Sequence, residues 1–163
     1  MIRRAHQISV SIFLEETGAL GVTNRQYGIL LVLKHRPGTD QITVAKLLGL
    51  DRSTTGMVLN KLQRDGLVGR IVGASDRRKR SLKLTPKGER MLKRLSAPAR
   101  RAQERVLSVF TPTERKQLLH LLDKLARAFN DTTRVPRMEQ ATEEIDPQAR
   151  AFRGAAQRRA RNP

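Results

Sequence analysis

A chain of 163 residues can hold one domain with a modest core, or a small domain with dimerisation arms. Because 38% of the residues are hydrophobic and only 3% are aromatic, the core must be aliphatic, which favours packed helices over a β-sandwich. The net charge of +18 predicts a polyanionic partner, and the absence of cysteine excludes disulfides and thiol-based redox sensing.

The positive charge is concentrated in the middle of the chain. Between Lys61 and Arg105 there are 15 Lys or Arg residues and four Asp or Glu residues. If the basic residues served only solubility, they would be distributed along the chain and interspersed with acidic residues. The clustering therefore indicates an electropositive face for nucleic acid.

Several other classes of protein are excluded by the sequence. No apolar run approaches the ~18 residues that span a bilayer, and the N-terminus lacks the apolar core of a signal peptide. The three histidines show no metal-ligand spacing, and acid pairs such as Glu15-Glu16 and Glu143-Glu144 are adjacent rather than facing. We therefore expect no catalytic site, metal, cofactor or membrane contact, and a cytoplasmic, nucleoid-associated location.

The first predicted helix covers Arg3–Glu16 and is followed by a turn at residues 18–21. Apolar residues occupy much of its circumference, so we expect this helix to pack against more than one neighbour. Such a helix could be an arm that packs against a second subunit. The apolar residues are Ala5, Ile8, Val10, Ile12, Phe13 and Leu14.

A second helix begins at a capping box, Thr23-x-x-Gln26, and continues to His35. Pro37-Gly38 ends it. Its predicted inward residues are Tyr27, Leu30, Leu31 and Leu33.

The next two helices predict a helix-turn-helix. Asp40 caps a short helix that carries Val44, Ala45, Leu47 and Leu48, and Gly49 supplies the turn. Asp51 caps a second helix that runs to about Arg64 and buries Thr55, Val58, Leu59 and Leu62. Its exposed stripe has hydroxyls, an amide and cations, which suit phosphates and base edges in a major groove: Arg52, Ser53, Thr54, Met57, Asn60 and Lys61.

A β-hairpin is predicted to follow. Leu67, Val68, Ile71 and Val72 form one strand, and Leu82, Lys83 and Leu84 alternate as a second. The loop between them carries an aspartate and four consecutive cations, which indicates a DNA-binding wing: Asp76, Arg77, Arg78, Lys79 and Arg80.

Two further helices complete the predicted fold. Thr85-Pro86 begins a helix in which Pro98 should cause a kink without ending the domain. Thr111-Pro112-Thr113-Glu114 begins another, whose apolar stripe lacks a partner in so small a domain and therefore predicts dimerisation. This stripe contains Leu118, Leu121, Leu122, Leu125 and Phe129.

The order of these motifs resembles the MarR family of bacterial transcription regulators over roughly Arg3 to Phe129. The matching segments are Leu47-Leu48-Gly49-Leu50-Asp51-Arg52-Ser53-Thr54-Thr55, Leu62-x-x-x-Gly66-Leu67-Val68, Asp76-Arg77-Arg78 and Leu84-Thr85-x-x-Gly88. The resemblance implies a homodimer that binds a pseudo-palindromic double-stranded DNA operator and is released by a small ligand. It also implies that Arg78 enters the minor groove and that Asp76 orients it.

The segment Arg3-Arg4-Ala5-His6-Gln7-Ile8-Ser9 is similar to members of the family that govern aromatic-acid catabolism. That similarity implies an effector such as a hydroxycinnamate or another phenolic acid, or its coenzyme A thioester. The expected site lies between the first helix, the Tyr27 helix and the Met91 helix. Its predicted residues are Arg4, His6, Ser9, Phe13, Tyr27 and Met91.

The predicted fold is mainly α with a small β-hairpin wing, a winged helix-turn-helix with N- and C-terminal dimerisation helices. The predicted parts are an N-terminal dimerisation helix (1–22), a DNA-binding domain (23–88), C-terminal dimerisation helices (89–130) and a helical or flexible basic tail (131–163). The predicted function is a ligand-responsive repressor. Ser53, Thr54, Met57 and Asn60 would discriminate bases, while phosphates would be held by Arg52, Lys61, Arg77, Lys79 and Arg80.

An effector-independent architectural DNA-binding protein is the alternative. Both functions predict steep salt dependence, so protection of one palindrome of ~20 bp would favour the regulator. A winged helix that makes only protein contacts is disfavoured by the run Arg77–Arg80.

Overall fold

The computed structural model describes residues 1–72 and 80–129. In this part of the chain six α-helices and one antiparallel hairpin confirm the predicted fold class. In chain order the elements are α1 (Ile2–Thr17), a 3-10 turn (Gly18–Leu20), α2 (Asn24–His35), α3 (Gln41–Leu48), α4 (Arg52–Arg64), β1 (Val68–Val72), β2 (Arg80–Leu84), α5 (Pro86–Leu107) and α6 (Pro112–Ala128).

The helix starts are fixed by the capping residues that the sequence predicted. Thr23 and Thr111 each form a capping box, in which the side chain of the third helical residue also accepts from the backbone of the cap. Asp40, Asp51 and Thr85 accept a hydrogen bond from the backbone N–H three residues on. Each cap satisfies an N–H group that the helix itself leaves unpaired.

The main core lies where α2, α3, α4, the hairpin and the first half of α5 meet. In α2 all four predicted inward residues face the core: Leu30 and Leu33 are fully buried, and Tyr27 and Leu31 are half-buried and pack against it. The prediction was incomplete, because Ile29 and Val32 are fully buried as well. The helix packs against α3 and α4 as well as α1 and α5, so its buried surface is wider than one stripe. The core contains Val22, Ile29, Leu30, Val32, Leu33, Val44, Leu47, Leu59, Leu62, Leu67, Val68, Leu82, Leu92 and Leu95.

The hairpin pairs Val68 with Leu84 and Val72 with Arg80. Leu67, predicted as part of the first strand, precedes it and is buried in the core. Backbone hydrogen bonds also join Leu82 to Gly38 and Thr39, which fixes the hairpin against the start of the helix-turn-helix.

The long helix α5 connects the DNA-binding part to α1. It runs without interruption through Pro98, so the proline does not end the helix. Leu92 and Leu95 in its first half enter the main core, and Ala99 and Ala102 in its second half pack with Phe13 of α1. Two ion pairs join the same helices. Arg101 Nε lies 3.0 Å from Glu16 Oε2, and Arg105 Nη1 lies 2.7 Å from Glu15 Oε2.

The last described helix, α6, buries none of its residues in the single chain. Its predicted apolar stripe is largely exposed, with Leu121 at 60% and Phe129 at 58% of full exposure. The predicted basic tail (131–163) lies outside the described residues.

Candidate nucleic-acid interface and effector cavity

The two faces of α4 differ sharply in burial. Thr55, Leu59 and Leu62 are buried against the core, as the sequence predicted, and Val58 is half-buried. The opposite face is exposed, and Met57 retains 64% of its accessible surface. We call this exposed face the recognition stripe; it consists of Arg52, Ser53, Met57, Asn60 and Lys61.

The start of α4 is held by the carboxylate of Asp51. The Thr54 hydroxyl donates to it at 2.6 Å and the Thr54 backbone N–H at 2.7 Å. Both bonds favour the ionised carboxylate, and they lower the pKa of Asp51 from its ordinary value. Thr54 was predicted to be exposed, but it is half-buried, and its hydroxyl takes part in the cap.

Lys61 forms an ion pair with Asp65 one turn later, with Nζ 2.9 Å from Oδ1. Both side chains are accessible to solvent, so the pair contributes little to stability. A DNA phosphate could therefore replace Asp65 as the partner of Lys61, or bind Lys61 together with Asp65, at a small cost in free energy. Lys61 thus remains suited to the phosphate contact that the sequence predicted for it.

The predicted wing falls largely outside the described residues. Asp76, Arg77, Arg78 and Lys79 lie outside the described residues. Arg80 is the first residue of β2, where its backbone pairs with Val72. The roles of the wing in DNA binding therefore remain predictions from the sequence.

A cavity of about 630 Å³ lies between α1, α2, α5 and α6. Three of the predicted effector residues line it: Ser9, Phe13 and Tyr27. The rings of Phe13 and Tyr27 form a tilted pair with centroids 5.5 Å apart. The rest of the lining comprises Asn24, Leu31, His35, Ser96, Ala99, Arg100, Ala102, Gln103, Val106, Leu107 and Leu119.

The other three predicted effector residues lie elsewhere. Arg4 and His6 are exposed on the first turns of α1, and neither lines the cavity. Met91 packs against the main core, because it lies more than one turn before the part of α5 that borders the cavity. The expectation that these three side chains line the same cavity as Tyr27 is not met in the single chain.

The polar residues that α5 contributes to the cavity were not predicted from the sequence. Ser96, Arg100 and Gln103 recur at intervals of four and three, which places them on one side of the helix. That spacing was visible in the sequence, but nothing there showed which side of α5 faced a cavity. Arg100 Nη1 lies 3.4 Å from Glu104 Oε1 at the exposed rim.

Residues 1–72 and 80–129 contain neither a membrane-spanning helix nor a metal-binding cluster. No helix there combines the length and the apolar character required to cross a membrane. No group of three or more His, Asp or Glu side chains in the same ranges is placed to hold a metal ion.

Comparison with known sequences identifies relatives of this chain. A family model described as the MarR family matches residues 20–79. The transcriptional regulatory protein proposed for the hcr operon of Thauera aromatica is 34% identical over 112 residues, which are 69% of this chain and 68% of that protein.

Solved structures of transcription regulators are also similar to this chain. The transcriptional repressor CouR bound to a 23-mer DNA duplex matches with a TM-score of 0.71 and 32% identity, over 77% of this chain and 89% of CouR. Bordetella bronchiseptica BpsR, whose DNA binding is regulated by 6-hydroxynicotinic acid, matches with a TM-score of 0.71 and 26% identity, over 77% of this chain and 95% of BpsR.

Proposed function

This chain belongs to the MarR family of DNA-binding, non-enzymatic transcription regulators, and we propose that it is a homodimeric repressor released from a pseudo-palindromic operator by a small aromatic acid. The observation that carries the proposal is the recognition stripe of α4. The opposite face of this helix is buried, while the stripe is left uncovered and presents cations, a hydroxyl and an amide. Such groups bind phosphates and base edges when a helix lies in a major groove.

In the proposed complex, the two α4 helices of a dimer lie in successive major grooves, about one helical turn apart. Arg52 and Lys61 bind phosphates, and Ser53, Met57 and Asn60 contact bases. Arg78 of each wing enters the adjoining minor groove, as the resemblance of Asp76-Arg77-Arg78 to the family pattern implies. CouR, a protein of similar fold, is bound to a 23-mer DNA duplex, which supports duplex DNA as the partner of this chain.

The cavity is the proposed effector site. Its volume of about 630 Å³ lies within the ~300–1,000 Å³ range of small-molecule sites, and it combines two aromatic rings with several polar groups. Arg100 is its one permanently charged lining residue in the described part of the chain, which suits a carboxylate. The regulation of BpsR by 6-hydroxynicotinic acid supports the choice of an aromatic acid.

Release from DNA follows if the effector prefers a dimer whose two α4 helices are wrongly spaced. A ligand can shift such an equilibrium only by its differential affinity for the two states. The cavity borders both α5 and α6, so a bound acid can alter the angle at which α5 leaves the DNA-binding part.

The DNA-binding part of the proposal is tested by selecting sequences from a random pool of duplex DNA with the wild-type protein. We expect one palindromic consensus. Asn60→Ala should bind that consensus more weakly, by about 1–3 kcal/mol, and lose preference at one base pair of each half-site. Lys116→Ala, which removes an exposed cation from α6, serves as the control. Recovery of no consensus by the wild-type protein would favour an architectural DNA-binding protein instead.

The effector part is tested by calorimetry with 4-hydroxycinnamate, 6-hydroxynicotinate and a hydroxycinnamoyl thioester of coenzyme A. Arg100→Gln should weaken binding of the free acids by about 1.5–3 kcal/mol, because one charged hydrogen bond is lost. Arg94→Gln changes an exposed arginine of the same helix that does not line the cavity, and it should bind like the wild type. No heat and no release of DNA with any of the three compounds would reject this class of effector.

A further inference from the structure

A glycine lies in the middle of the recognition stripe. Gly56 follows Arg52 by four residues and precedes Asn60 by four, so the three residues lie along one side of α4. Glycine inside a helix lowers its stability relative to alanine, because the unfolded chain gains freedom and no side chain is packed. Its presence at this position therefore calls for a packing or functional reason.

The side chain of Gln41 occupies the space beside Gly56. Nε2 of Gln41, the first residue of α3, donates a hydrogen bond to the carbonyl oxygen of Arg52 at 3.2 Å. A Cβ added at Gly56 would lie only 3.1 Å from this nitrogen, closer than ordinary van der Waals contact. The missing side chain of Gly56 thus leaves room for the amide of Gln41 against the first turn of α4.

Within the part of the chain that the structure describes, two of the three hydrogen-bonding groups of this amide remain available for another partner. An amide group has one acceptor oxygen and two N–H donors, and the carbonyl of Arg52 takes one donor. Among the residues that the structure describes, the Gln41 side chain makes no further hydrogen bond, and it is partly exposed. Its remaining oxygen and N–H lie beside the recognition stripe on a group whose orientation is already fixed.

We propose that Gln41 is a specificity-determining residue of the DNA-binding surface, which binds an adenine through its free amide oxygen and N–H, and that Gly56 is present to admit it. Side-chain amides recognise adenine by accepting from N6 and donating to N7 in the major groove. Because the Gln41 amide is held by the Arg52 carbonyl before DNA binds, less side-chain freedom is lost on binding. This inference rests on the proposed function, since it requires the recognition stripe to enter a major groove.

The first test repeats the selection from random duplex DNA with Gln41→Met, which keeps the size of the side chain and removes the amide. We expect the palindrome to be retained but preference for adenine to be lost at one position of each half-site. Affinity for the wild-type consensus should fall about tenfold to a hundredfold, with affinity for unrelated DNA unchanged. Gln7→Met is the matched control, because it makes the same chemical change at an exposed residue of α1, outside the DNA-binding helices.

The second test uses Gly56→Ala, which displaces the side-chain amide of Gln41 without changing the residue at position 41. An alanine here should keep or raise the thermal midpoint, because the displaced group is the far end of a flexible side chain. The same adenine preference should nevertheless be lost. The double variant Gln41→Met/Gly56→Ala should lose no more affinity than the weaker-binding single variant, since both changes remove one interaction.

The outcomes separate this inference from the proposed function. If the wild-type protein selects no palindrome, both are rejected. If it does, and Gln41→Met keeps every base preference or loses affinity equally for all sequences, only the role of Gln41 in base recognition is overturned.

Discussion

At the first turn of α5, Gly88 lies directly against the backbone of Leu67. A Cβ at this position would overlap the carbonyl oxygen of Leu67, which is backbone and cannot move aside without shifting the hairpin. Gly88→Ala should therefore destabilise the fold by about 1–3 kcal/mol, although alanine normally stabilises a helix. Urea unfolding followed by circular dichroism measures the difference.

Gly18 provides the matched control for that change. Its φ of −52° suits any residue, and an added Cβ would meet no atom within 4 Å. Gly18→Ala should be neutral or slightly stabilising, because it reduces the freedom of the unfolded chain. Equal free energies of unfolding for the two alanine variants would contradict the close contact at Gly88.

The cap at Asp51 predicts a dependence of stability on pH. Hydrogen bonds from the Thr54 hydroxyl and backbone N–H lower the pKa of Asp51 from its ordinary value of 3.8. Its contribution to the free energy of unfolding is complete above that ordinary value and is lost as the pH falls through the lower pKa of the folded state. Asparagine caps helices as well as aspartate does, but it does not titrate.

Asp51→Asn should therefore fold normally at neutral pH and lose less stability on acidification than the wild type. Urea midpoints measured between about pH 2.5 and 6 should therefore fall less steeply with decreasing pH for the variant than for the wild type. Superimposable pH profiles of the two proteins would contradict the prediction.

At the scale of elements, α6 carries an apolar stripe without a partner in the single chain. Leu121, Leu122, Leu125 and Phe129 are exposed on one side of the helix. If α6 forms the interface of the proposed dimer, Leu121→Glu/Leu125→Glu should give a monomer in sedimentation equilibrium, because buried carboxylates would lack partners there. The variant should also bind the operator more weakly, since one subunit contacts only one half-site.

His120→Glu is the control for this experiment, because His120 is exposed on the opposite side of α6. It should leave the dimer intact. A dimer that persisted in the double glutamate variant would place the interface elsewhere.

At the scale of the whole molecule, the net charge of +18 should make DNA binding depend steeply on salt. Each phosphate contact contributes about 0.9 to the slope of log affinity against log salt concentration. Arg52→Ala should therefore reduce the slope by about 0.9 and leave base preference unchanged. Fluorescence anisotropy over a range of KCl concentrations tests this, with Lys116→Ala as control; an unchanged slope would remove Arg52 from the phosphate contacts.

The helix boundaries could be predicted from the sequence because the capping residues act locally. Asp40, Asp51, Thr85 and Thr111 each bind a backbone N–H only three residues away, so their effect requires no knowledge of the fold. The two faces of α4 could be predicted for the same reason, since its apolar residues recur at helical spacing.

The composition of the cavity could not be predicted in this way. The helices that line it are distant in the chain, and the side of each helix that faces the cavity depends on how α1 packs along α5. This is why Ser9, Phe13 and Tyr27 were found but Arg100 was missed, and why Arg4 and Met91 were included.

The sequence by itself determined the helix starts, the winged helix-turn-helix order and the polar stripe of α4, because these depend on hydrogen bonds and spacings within about four residues. Only the tertiary structure brought Gln41 against Gly56 and Arg100 into a cavity with the ring pair of Phe13 and Tyr27. These contacts join residues from different helices, so they are fixed by how the helices pack and not by any local pattern.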